Sequence, residues 1–281
     1  MKQILFFLFA TMLIASCDRV DSSKINSNLR DKVLKDTIIN ACYKIYPPNC
    51  IKDSTGKLKG IFVETLEQAA KDLGLSVKWE AEVDYQTVIA DLNADKFDIF
   101  GGSVWANPKR AKSAFFSTPL SYSKLYVYSR ANDNRFDNMT SYDQLNDDKY
   151  IFALIQGGTG EGIRKNMFKN SRSHSIDAKA SFSVSFVDIV ANKADLVIAE
   201  PYQANLYLKA NPGTIKQIGI INPITVYGNC FMFKSGEIEF EHMLNAELQS
   251  LINSGFVDDL IKKYEDVPNS FGRPAKSFST N

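Results

Sequence analysis

The chain has 281 residues, with 33 basic against 32 acidic side chains, a net charge of +1, and 44% hydrophobic residues. That balance, without long blocks of one sign, argues against a nucleic-acid partner, which demands a basic stripe. The two histidines, His174 and His242, lie far apart, and no cysteine–histidine spacing suits zinc, so no metal or other cofactor is expected.

Lys2 and the apolar run Ile4–Ala15 read as an export signal. The run is shorter than the roughly 20 apolar residues of a membrane-spanning helix. Ile14-Ala15-Ser16-Cys17 then resembles a bacterial lipobox. That resemblance implies a signal peptide over residues 1–16 and an acylated, palmitate-bearing Cys17 as the first mature residue. Asp18 resembles the inner-membrane retention signal of many Gram-negative bacteria. The alternative is an ordinary secretory signal with a chance cysteine. Residues 17–35 are polar and charged, too poor in apolar side chains to offset ordering entropy, and read as a tether.

The body begins with a strand, Thr37–Tyr43, stopped by Tyr46-Pro47-Pro48 because proline lacks the ladder donor. A turn at Asp53–Lys57 precedes helical spacing at Phe62, Leu66, Ala69, Ala70 and Leu73, with Gly74 at the C-cap. Leu75, Val77 and Trp79 alternate as a strand, Val88, Ile89 and Leu92 mark a helix, and Phe97–Phe100 is an apolar run breaking into Gly101-Gly102. The rhythm restarts with the strand Tyr150–Ile155, the turn Gly157–Gly160, a helix, a second helix over 184–192, and the strand Asp195–Ala199. Another strand at Tyr227–Phe233 leads into two helical patterns separated by Gly255. Strand–helix alternation in two units predicts an α/β fold with parallel sheets. Ligands of such sheets sit beyond the C-terminal strand ends, which directs attention to Tyr46, Gly101–Trp105, Gln156–Gly160 and Glu200.

Of the cysteines after Cys17, Cys42 and Cys50 are separated by a short turn-containing segment and make the most plausible disulfide. The equal alternative is that Cys42, Cys50 and Cys230 are small apolar fillers.

Several blocks, in order, resemble the bacterial extracellular solute-binding proteins of family 3, the polar amino-acid uptake class. They are Tyr46-Pro47-Pro48 with Gly56–Glu64, Phe97-Asp98-Ile99 with Asn107-Pro108-Lys109-Arg110, and Phe116-Ser117-Thr118-Pro119. Gln156–Glu161, Ala194–Glu200, Tyr227-Gly228 and Asn253–Val257 with Tyr264 complete the series. The resemblance covers residues 37–265 and implies a two-lobed periplasmic-binding-protein fold of type II with two hinge strands. Lobe 1 would comprise residues 36–123 and 225–266, lobe 2 residues 127–221, and residues 267–281 a C-terminal tail. It further implies that Arg110 pairs the ligand α-carboxylate, a task suited to a planar, permanently charged fork. Glu200 would receive the α-ammonium, Thr159 and Ser103 would add donors, Gln156 would border the ligand, and Tyr46 and Tyr85 would sandwich its side chain.

Each assignment has a plainer alternative. Arg110 as a solvated surface arginine, Glu200 as the acid opening a helix before Pro201, and the tyrosines as core or rim aromatics all satisfy the sequence. Trp105 and Asn107 stand where the family usually has small hydroxyl residues. Trp105 would narrow the pocket, stack on a cation, or pack into lobe 1. Gly158 replaces the first threonine of the turn, and Glu200 is one methylene longer than the usual Asp. The expected function is a monomeric lipoprotein, anchored at the membrane outside the cytoplasm, that delivers an amino-acid-like ligand to an ABC transporter permease. The competing expectations are a cyclohexadienyl-dehydratase-like enzyme using Glu200 as general acid, and, less favoured, a sensory module.

Overall fold

The computed structural model describes residues 28–265, 267–268 and 270–274. The lipobox with Cys17 and the first part of the expected tether lie outside the described residues. The remainder of that tether is corrected. Leu29–Asp36 form helix α1, opened by Asn28, whose side chain accepts from the Asp31 amide. Leu29 and Val33, one helical turn apart, are both buried, and Lys32 pairs with Asp98 at 2.6 Å. Two apolar residues on one face suffice because the surface receiving them comes from distant chain; even the Leu29 amide donates to Glu237.

The next elements follow the expected order. Strand β1 (Ile38–Tyr43) leads to the hairpin β2 (Ile51–Lys52) and β3 (Leu58–Lys59), helix α2 (Ile61–Asp72), strand β4 (Ser76–Glu82), helix α3 (Val88–Asn93) and strand β5 (Ile99–Trp105). β5 runs through Gly101-Gly102 instead of ending there. A Cβ at Gly101 would stand 2.5 Å from the Trp79 ring, so the glycine admits the indole rather than breaking the strand. β6 (Ala114–Phe116) and the long β7 (Ser121–Arg130) follow. The second unit contains β8 (Ile151–Ile155), α4 (Thr159–Met167), β9 (Arg172–Ile176), α5 (Ser183–Val190), β10 (Leu196–Ala199), α6 (Pro201–Ala210) and β11 (Ile215–Gln217). The chain then returns through β12 (Thr225–Lys234), α7 (Ile238–Asn253), α8 (Phe256–Tyr264) and the two-residue β13 (Phe271–Gly272).

Two lobes result. In the first, β4, β1 and β5 are parallel and β12 is antiparallel to β5. Phe62, Phe231, Phe233 and Phe240 anchor the core on one face, while Cys42, Phe100 and Met232 lie in another. In the second lobe, β9, β8 and β10 are parallel, with β7 antiparallel to β10. Its cores gather around Phe136, Phe152 and Phe168 and around Phe186, Val197 and Tyr207.

The lobes join through β7 and β12, which pair antiparallel from Leu125–Thr225 to Ser121–Asn229. A third segment reinforces this crossing. Phe271 and Gly272 pair with Ser123 and Tyr122 of β7, Phe271 is buried, and Arg273 is held by Asp258 and Glu265. The described part of the C-terminal tail is therefore built into the hinge.

The expected Cys42–Cys50 bridge is also corrected: all three described cysteines are free and buried. Cys42 packs with Phe100 and Val88, whereas Cys50 packs with Tyr43, Leu58 and Val63. The two thiols point into different apolar clusters. Burial pushes all three thiols up to about 12.

Candidate ligand site

Arg110 owes its position to the turn that follows β5. The Asn107 side chain accepts the Arg110 amide at 3.0 Å, and the Asn107 carbonyl accepts the Ala111 amide. Asn107 thus works as a turn-former, a task suited to its short polar side chain. The turn directs the guanidinium back across the strand exit. Its Nη1 donates to the Trp105 carbonyl at 3.1 Å and to Thr159 Oγ1 of the other lobe at 3.4 Å. The guanidinium lies over the Tyr85 ring, 5.4 Å from its centre. Burial lowers the Arg110 pKa, yet a guanidinium stays charged throughout the working range.

Thr159 opens α4, with Gly158 at the N-cap in extended conformation. Gly157, before it, has φ +73°, and a Cβ there would stand 2.6 Å from Gln86 Cγ of lobe 1. That position combines a left-handed backbone with a close approach between lobes. At the end of β10, Glu200 caps α6 ahead of Pro201. Glu200 is 2% exposed and accepts the Tyr46 hydroxyl at 2.5 Å and the Ser123 hydroxyl. Burial raises its carboxyl pKa, opposed in part by these two hydrogen bonds. Behind them, Asn229 donates to Ser121 and Ser123 and accepts from Ser103 at 3.1 Å.

A cavity of about 730 Å³ lies between the lobes. Of the eight ligand residues expected from sequence, Tyr46, Tyr85, Ser103, Trp105, Arg110 and Thr159 line it. Gln156 does not: it is exposed and donates to Ser175 at 3.1 Å. Alternation at the end of β8 turns Ile155 to the cavity and Gln156 away from it. Glu200 sits behind Tyr46 and Ser123 rather than on the cavity wall. Ser103 lines the wall, but its hydroxyl is committed to Asn229. Trp105 stacks on Tyr227 with ring centres 5.6 Å apart and planes at 12°.

Several wall and support residues carried no separate signal in the sequence. Ser123 and Asn229 lie inside long strands whose pattern reads only as structure. Gln203 donates to the Pro47 carbonyl at 2.8 Å across the lobes, and the Phe182 ring meets Tyr46 edge-on at 6.4 Å. Asn229 directly follows Tyr227-Gly228, which is the one clue the sequence offered. Among the described residues no group of three or more His, Cys, Asp or Glu side chains is placed to hold a metal ion.

This two-lobed architecture is that of the type II periplasmic binding proteins. Residues 38–267 match the model of the bacterial extracellular solute-binding proteins, family 3, and the chain belongs to that family. A probable histidine-binding protein of Campylobacter jejuni is 26% identical over 262 residues, 92% of this chain and 95% of its own. An L-cystine-binding protein of Bacillus subtilis is 23% identical over 95% of this chain and 99% of its own. Among solved structures, an ancestral amino-acid-binding protein described as a precursor of cyclohexadienyl dehydratase superposes with a TM-score of 0.72 and 22% identity. The match spans 85% of this chain and all of the other. These structural likenesses establish the fold, and the family is one of extracytoplasmic amino-acid solute-binding proteins.

Proposed function

We propose that the protein is a lipid-anchored binding protein that captures an amino-acid-like ligand between its lobes and delivers it to an ABC importer. The observation that carries this reading is the meeting of Arg110 and Thr159 on the wall of an interlobe cavity. A carboxylate between them would take charge-assisted hydrogen bonds from the guanidinium and sit at the start of α4. The ligand ammonium takes the place of the Tyr46 hydroxyl at Glu200, and Tyr85 and Trp105 flank the rest. Ligand contacts drawn from both lobes exist together only in the closed form, which is the form an importer would read. The acylated Cys17 and the extracytoplasmic position belong to the same proposal, as does a monomeric state.

A thermal-shift screen over the common amino acids, amines and small peptides tests it. A ligand at 100 times its dissociation constant stabilises by about 2.7 kcal/mol. The expected result is a clear shift with at least one amino acid; no shift with any of them contradicts the proposal.

One observation favours a second reading. Glu200 is a buried carboxyl with a raised pKa, the state required of a general acid on a cyclohexadienyl-dehydratase-like enzyme. Turnover of prephenate or arogenate by the purified protein would establish that reading, and loss of that turnover in Glu200→Gln would assign it to this residue.

A further inference from the structure

The cavity holds a second polar group that the α-carboxylate reading leaves unused. It sits at the start of α5 in lobe 2, where Lys179, Ser181, Ser183 and Ser185 all line the wall. Ser185 is 1% exposed, and its hydroxyl has no hydrogen-bond partner among the described residues. An orphaned buried hydroxyl is costly, and one carried by a cavity-lining residue gains when a ligand supplies its partner. The Ser181 and Ser183 hydroxyls lie 3.0 Å apart. Phe182, at the N-cap, offers no side-chain acceptor, so the positive end of the helix faces the cavity uncompensated. The Ser185 and Val184 amides are satisfied by the Phe182 and Ser181 carbonyls, which leaves the Ser185 hydroxyl and one hydroxyl of the Ser181–Ser183 pair as the free donors.

Lobe 1 adds a second cation. Lys44 lines the same cavity, two residues before Tyr46, whose ring touches Phe182. Among the described residues, neither Lys44 nor Lys179 has an ion-pair partner. Three basic residues (Lys44, Arg110, Lys179) and one acid (Glu82) line the cavity. A simple zwitterion is balanced by Arg110 and Glu200 alone. What remains is two lysines against Glu82, an excess of positive charge.

We propose that the ligand is an amino acid carrying a second, distal carboxylate, received by Lys179 and Lys44 and by the hydroxyls of Ser183 and Ser185. This rests on the amino-acid reading above and narrows it to one ligand class. A cavity of about 730 Å³ has room for a long side chain, since pockets of roughly 300–1,000 Å³ enclose drug-sized ligands. A cationic side chain would face unpaired lysines and be rejected by like charge.

Isothermal titration calorimetry on the full protein decides the matter. The acidic probes are L-aspartate, L-glutamate and L-2-aminoadipate; the comparison probes are L-glutamine, L-lysine and L-histidine. At least one acidic probe should bind about tenfold or more tighter than every comparison probe. The double variant Lys44→Met, Lys179→Met should erase that preference, with an unchanged circular-dichroism spectrum and cooperative melting showing that the variant is folded. Ser185→Ala should weaken the preferred acid about fivefold. Tighter binding of glutamine, lysine or histidine overturns the distal-carboxylate proposal and leaves the amino-acid reading standing. So does an acidic preference that survives in the double-lysine variant. Failure of all six probes overturns the distal-carboxylate proposal, and failure of the whole amino-acid screen contradicts both.

Discussion

Glu200 concentrates the electrostatic tension of the site, because a carboxyl 2% exposed is held by two neutral hydroxyls and no cation. Its folded-state pKa lies above the ordinary 4.5. A raised acid favours folding while protonated, so this contribution is full below the ordinary value and is lost as pH rises through the folded value. Glu200→Gln should therefore gain little melting temperature near about pH 4 and clearly more near about pH 8, as read by calorimetry without ligand. An equal effect at both pH values would remove the buried ionisation from the account. The thiols make a separate case. Cys42, Cys50 and Cys230 are buried and free, so a thiol reagent should leave the native protein unmodified and label all three after denaturation. A mass two hydrogens lighter, with two of them unreactive, would restore the bridge. Residue chemistry was only partly legible in the sequence. Arg110 and Thr159 stood beside glycine-rich strand exits and could be found, but Ser123 and Asn229 are polar residues inside strands. Their convergence on Glu200 depends on strands far apart in the chain.

At the scale of elements, periodicity carried most of the fold. β1, α2, β8 and β10 form where apolar spacing placed them. Two kinds of segment escaped it. β9 is largely exposed, and an edge strand with no buried face leaves no pattern to read. α1 is short and polar on average, β13 is only two residues long, and their stability comes from docking Leu29, Val33 and Phe271 into the lobe 1 core. Burial of a large apolar side chain stabilises by about 1.5–3 kcal/mol, so Phe271→Ala should lower the stability of the whole protein by several kcal/mol with its cavity cost included. A loss within about 0.5 kcal/mol in chemical denaturation would show the strand to be dispensable. At the end of β7 and in the turn after it, Arg130 and Arg135 enclose Asp133 and Asp195. The Arg135 hydrogen bonds hold the Asp133 carboxyl at about 2, below the ordinary 3.8. Its contribution, about 2 kcal/mol, is present above the ordinary value and lost as pH falls through the folded one. Asp133→Asn should destabilise near neutral pH by that order, with the deficit fading at about pH 2; a deficit unchanged at acid pH would exclude the ionic origin.

Over the whole molecule, the cleft is spanned by Tyr46 with Glu200, Arg110 with Thr159, Gln203 with Pro47, and the Tyr46 and Phe182 rings. Every one of these pairs joins a residue of lobe 1 to a residue of lobe 2, so lobe closure and ligand contact are the same event. Gly157 lies on that seam, where a side chain would meet both a left-handed backbone and Gln86. The division into two α/β units was legible from the restarted strand–helix rhythm. Which residues meet across the cleft was not, since it depends on the angle between lobes that no local pattern encodes. The most direct test of the central claim is calorimetric titration of wild type and Arg110→Ala with the amino acid that the screen finds strongest. Loss of a charge-assisted pair worth about 1.5–3 kcal/mol should weaken binding about tenfold to more than a hundredfold. An unchanged dissociation constant in the folded variant would show that Arg110 does not hold the ligand carboxylate, and would contradict the site as described.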